Sequence, residues 1–77
     1  MNNARRKAIE KAINILSAQM EELESIRDEE QEAYDNLPEG IMYSERGEQM
    51  SENCDDLDSA VSNLEDIIDQ LQDIIDR

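Results

Sequence analysis

The sequence predicts an all-α chain, an antiparallel helical hairpin of coiled-coil type that dimerises into a four-helix bundle. Three observations point there. The first is an unbroken apolar ladder through Met50, Cys54, Leu57, Val61, Leu64, Ile68, Leu71 and Ile75. Its members lie alternately four and three residues apart, the a/d signature of helices that pack along a seam. The second is a matching ladder in the N-terminal half, Ile9, Ile13, Leu16, Met20 and Leu23, at the same spacing. The third is one break between them, Asn36-Leu37-Pro38-Glu39-Gly40, which divides a single domain of 77 residues into a helix over 4–36, a hinge over 37–44 and a helix over 45–76.

The N-terminal helix takes Asn2 or Asn3 as its cap, and Ala12, Ile26 and Ala33 form a column beside its ladder. Continuing the register puts Arg27 and Glu30 on the seam, where a packed core wants apolar groups. Either helix drift lets Ile26 and Ala33 take over the face while Arg27 and Glu30 pair at its edge, or the two form a buried polar layer that sets register. At the break, Pro38 lacks an amide hydrogen and restricts Leu37, and Gly40 is free to take a positive φ. Ile41, Met42 and Tyr43 follow as a short apolar plug. Ser44 then reads as the cap of the second helix, with Glu45 in its first turn. Gly47 weakens that helix by about 1 kcal/mol against Ala, so a packing reason is expected.

Folding about the hinge makes residue i face roughly residue 81 minus i on the other helix. Ile13 then faces Ile68, Met20 faces Val61 and Tyr34 faces Gly47, each within a turn. The same fold brings Arg5, Arg6, Lys7 and Lys11 to the end that holds Asp66, Asp69, Asp73 and Asp76. Each cluster sits at the helix end that its own helix dipole disfavours, and neutralisation between the clusters is the expected remedy. The C-terminal helix carries a third apolar column, Ala60, Ile67 and Ile74. With Ala12 and Ile26 it makes a face too wide for a two-helix seam. A second copy is therefore expected, its core built from Ile13, Leu16, Met20 and Leu23 with Leu57, Val61, Leu64, Ile67, Ile68, Leu71, Ile74 and Ile75. So short a chain, with no Phe or Trp, needs the extra burial.

With 21 acids against 7 bases the formal net charge is −14, which argues against direct binding to nucleic acid or to anionic lipid. Disordered acidic segments reach such charge too, but they lack a sustained apolar period. No signal-peptide core or membrane span follows the basic N-terminus, and a cytoplasmic protein is expected. The chain has no histidine, no cysteine pair and no Gly-rich phosphate loop, so no enzyme activity, cofactor or metal is expected. Asp55, Asp56 and Asp58 lack the glycine turn and terminal glutamate of a calcium loop and read as a solvated helix face. Cys54, at an a position, reads as a small buried hydrophobe ahead of a redox thiol.

Between residues 12 and 76 there are 20 acids and 2 bases, densest toward the hinge on both helices. Such a surface either solubilises the protein or draws in a basic protein surface. Its apolar centre is the plug. Tyr43, Met42 and Ile41, ringed by Glu39, Glu45 and Glu48, have the make-up of a protein-binding hot spot, set against the alternative that the plug only caps the bundle's end.

The stretch Asp28-Glu29-Glu30-Gln31-Glu32-Ala33-Tyr34-Asp35-Asn36-Leu37-Pro38-Glu39-Gly40, with Tyr43-Ser44-Glu45-Arg46-Gly47-Glu48-Gln49-Met50, resembles the hinge of small acidic helical-hairpin proteins of bacteriophages and prophages. The likeness covers about a third of the chain strictly, and that group has no established activity to carry over. What it implies is a setting, an inhibitor or adaptor acting on a host nucleic-acid-handling or defence protein with a basic surface. The alternative is a structural coiled-coil oligomerisation module with no external ligand.

Overall fold

In the computed structural model, which describes all residues 1–77, the chain is a rod of helices with no strand. α1 runs Asn3–Asp35, a short α2 runs Glu39–Met42 and α3 runs Glu45–Ile75. α1 and α3 pack antiparallel, so the hairpin predicted from the two ladders is the architecture.

The caps explain where the long helices begin. Asn2, rather than Asn3, caps α1, its side chain accepting the Arg5 amide at 2.8 Å. Ser44 caps α3, its hydroxyl accepting from the Gly47 amide at 3.5 Å and donating to the Ile41 carbonyl. α1 ends as Asn36 N donates to Glu32 O and Leu37 N to Tyr34 O, both at 3.1 Å, and Pro38 cannot continue the ladder.

The hinge departs from expectation in two ways. Residues 39–42 form a helical turn instead of an irregular plug, because Pro38, at φ −58 and ψ 145, starts it and its carbonyl accepts from both Ile41 and Met42 at 2.9 Å. Glu39 suits the positive end of that turn. Gly40 lies inside α2, and no glycine of the chain has a positive φ, so the reversal needs no left-handed residue.

The core is thin. Only Ile13, Gly47, Cys54 and Val61 are buried, while Leu16, Met20, Leu23, Leu57, Leu64, Ile68, Leu71, Ile74 and Ile75 are half-buried. The rod measures 59 × 15 × 13 Å, with a radius of gyration of 17.4 Å where a compact chain of this length has about 11–12 Å. Its accessible surface is 5740 Å², against about 4,800 Å² for a compact chain of its mass.

Gly47 has its packing reason, but a different one from Tyr34. A Cβ at Gly47 would lie 2.5 Å from the Met42 carbonyl carbon, 2.6 Å from the Ile41 oxygen and closer still to the Met42 oxygen. The missing side chain lets the backbone of α2 rest on the first turns of α3. Those contacts are to backbone, which cannot swing aside as a tyrosine ring can.

Candidate functional site

The hinge end combines a fixed backbone with exposed apolar groups. α2 is held from one side by the Pro38 carbonyl and from the other by Gly47 and the Ser44 hydroxyl. On this support Tyr43 is 75% exposed and Ile41 39%, whereas Met42 is turned partly inward. In the single hairpin, Tyr43 and Ile41 of the plug are thus left in water. Glu39, Glu45 and Glu48 are exposed around it, so the structure brings together every residue expected at this end except that Met42 is the least available of the three apolar ones. A rigid aromatic ring standing in water beside carboxylates is suited to packing against a partner that brings apolar and cationic groups together.

A second polar feature lies along one flank. Arg27 donates through Nη1 to Asp58 at 3.1 Å across the hairpin, and through Nε and Nη2 to Asp28 at 3.3 and 3.2 Å. Glu30 takes no part in these bonds, and Ile26 and Ala33 are exposed, so the drift that would leave an Arg27–Glu30 edge pair does not occur and Arg27 pairs across the helices instead. The reason is direction. Side chains lean toward the N-terminus of their own helix, which carries Arg27 about one turn past the residue level with it on α3 and onto Asp58. Both ion pairs are largely open to water. Burial would lower the Arg27 pKa, but the hydrogen bond and charge of Asp28, then those of Asp58, outweigh it and hold it above its ordinary value. Arg27 and Asp58 line an open, shallow groove with Ser59, Val61, Ser62 and Glu65.

Cys54 is buried in the seam at 5% exposure, unpaired, as expected of a small core hydrophobe. Burial first, then the charges of Glu30, Asp55, Asp35 and Asp58, push its thiol pKa up. That is the opposite of the electropositive setting that activates a nucleophilic cysteine. Of the aspartate trio, Asp58 faces Arg27, and no three carboxylate or thiol groups of the chain converge as metal ligands do.

At the open end the expected neutralisation does not take the form of contacts. The two ion pairs of the structure both belong to Arg27, and none joins Arg5, Arg6, Lys7 or Lys11 to Asp66, Asp69, Asp73 or Asp76. In the heptad register Lys7, Lys11 and all four aspartates occupy outward b and f positions, while Arg5 takes a g position and Arg6 an a position, where its Nε is buried without a hydrogen-bond partner.

Sequence reasoning also missed two exposed apolar groups, Ile15 and Met1. Both lie off the a/d ladder, at c positions two heptads apart, and a seven-residue spacing read together with Ala8 between them would have found the column. No helix of the protein is long and apolar enough to cross a membrane. No known protein family, curated protein or solved structure matches the chain.

Proposed function

We propose that this chain is a non-enzymatic protein-binding protein that works as a pair of hairpins, four helices in all, and offers its acidic hinge end to a partner with a basic surface. The observation that carries this reading is Tyr43, 75% exposed on a braced turn where the carboxylates are densest. Charge sets the rate of encounter, and the apolar anchors Tyr43 and Ile41 hold the complex. In the setting that the hinge stretch resembles, the chain is a cytoplasmic phage inhibitor or adaptor and the partner is a host nucleic-acid-handling or defence protein.

The second reading, a structural oligomerisation module with no external ligand, is favoured by Ile26 and Ile67, which stay exposed on one flank of the single hairpin. Pull-down from host lysate with wild type and Tyr43→Ala separates the two. The binding reading expects Tyr43→Ala to keep its helical circular-dichroism spectrum and lose a partner that wild type holds at low salt and releases at high salt. A wild type that captures nothing at low salt, or a folded Tyr43→Ala that keeps every partner, refutes it.

A further inference from the structure

The flank that carries Ile26 and Ile67 differs from the rest of this acidic surface. Ile15 is 55% exposed, Ile67 46%, Ile26 44% and Met1 56%, and Ala60 and Ile74 continue the strip along α3. In the heptad register these residues hold g and c positions, which an antiparallel hairpin places on one side. Over the half of the rod nearer the termini, the g and c positions between them are Gln19, Asn63 and Gln70, and not one is a carboxylate. The opposite flank over the same length carries Glu10, Glu65, Asp69 and Asp76. A chain of net charge −14 thus leaves the terminal half of one flank free of acid, the carboxylates of that flank, Glu22, Glu29 and Asp56, lying toward the hinge.

The strip is also self-complementary. In the hairpin register Met1 lies level with about residue 80 of α3, Ile15 with about 66 and Ile26 with about 55. A twofold axis beside Ile67 sets Ile15 against Ile67, Ala60 against Ile74 and Ile26 against Met1 of a second copy. Charges on the same flank agree. Arg5 and Arg77 of one copy come level with Glu22 and Asp56 of the other, whereas a parallel pair would stack Glu22 on Glu22 and Arg5 on Arg5.

From this we propose that a second copy covers the flank of Ile15 and Ile67 in an antiparallel, offset arrangement centred on Ile67, with the two hinges pointing outward at opposite ends. This rests on the paired-hairpin reading above and adds its geometry. The dimer is about 85 Å long, against about 60 Å for hairpins in full register. It presents two identical hinge ends that one partner chain cannot bridge unless it is long.

The test uses full-length protein carrying Cys54→Ala and a spin label at Asp76→Cys, read by pulsed electron paramagnetic resonance. The offset dimer gives an inter-label distance of about 30–35 Å, a fully overlapped antiparallel dimer about 55 Å and a parallel one below about 25 Å. Sedimentation of Ile67→Glu provides the second arm. Because Ile67 is already half in water in the single hairpin, the variant stays helical and the dissociation constant rises about 100-fold or more. If Ile67→Glu unfolds, Ile15→Glu on α1 takes its place. A distance near 55 Å or below 25 Å overturns the arrangement while leaving self-association in place. Folded charge variants that remain dimeric overturn the choice of flank, and a folded wild-type monomer at micromolar concentration overturns both this proposal and the pairing beneath it.

Discussion

Gly47→Ala and Gly40→Ala are the same chemical change seven residues apart, and the structure gives them opposite signs. Each removes a glycine from a helix, and in an exposed helix interior that gains about 1 kcal/mol from lower chain entropy in the unfolded state. At Gly40 nothing lies within 4 Å of the added methyl and φ is not positive, so most of this gain is kept. At Gly47 the methyl meets the Met42 and Ile41 carbonyls at 2.6 Å or less. Relief requires α2 to move off α3, since a peptide backbone has no rotamer to change. Overpacking of this kind costs about 2–3 kcal/mol, which leaves Gly47→Ala about 1–2 kcal/mol less stable than wild type. For a chain of this size the thermal midpoint falls by roughly 5–15 °C, while that of Gly40→Ala holds or rises by a few degrees. Melts followed at 222 nm at one fixed protein concentration test this, concentration being held because self-association would shift both midpoints. A Gly47→Ala midpoint at or above that of Gly40→Ala would refute the bracing of α2 by α3.

Four further outcomes are expected. Ile68→Asp puts a charge in the middle of the α1–α3 seam and should unfold the chain, unlike Ile67→Glu; a cooperative melt of Ile68→Asp near the wild-type midpoint would place Ile68 outside the seam. Arg27→Leu exchanges a solvent-open ion pair for an apolar group at a seam position, so its midpoint should be unchanged or higher, and a clear fall in urea denaturation would show that the Asp58 link holds the helices in place. The raised thiol pKa of Cys54 means that its contribution to stability is complete below the unfolded value, roughly 8.5, and is lost as pH rises through the higher folded value. Wild type should therefore lose stability relative to Cys54→Ala as pH rises above roughly 8.5, and a difference that stays constant on alkaline titration would contradict the burial of the thiol. Added sodium chloride should raise the wild-type midpoint, since the folded rod concentrates a net charge of −14; a midpoint that drops with salt would mean that attractive pairs dominate.

Two long helices and one reversal were legible in the sequence because they follow from short-range rules. Apolar spacing of four and three, a capping Asn2, a Pro38 that cannot donate and a Ser44 that can cap act within a few residues, and no distant contact reverses them. The hinge was half legible. Pro38 marked the stop, but one turn of helix over Glu39–Met42 is worth too little by itself to be read from propensity. It exists because Gly47, five residues beyond its end, lets α3 receive its backbone.

Partnerships between side chains belonged to the tertiary structure. Arg27 has carboxylates on both sides in the chain, and its choice of Asp58 over Glu30 depends on the lean of its side chain across the seam. Whether the basic and acidic termini touch likewise depends on rotation about each helix axis: sharing an end is a matter of chain length, but facing each other is a matter of heptad position, and Lys7, Lys11 and the four aspartates lie at outward ones. Exposure was settled the same way. Ile67 and Val61 are both expected in the core of the paired hairpins, yet with only one neighbouring helix a rod buries the a position and leaves the g position open, so Val61 is 6% exposed and Ile67 46%.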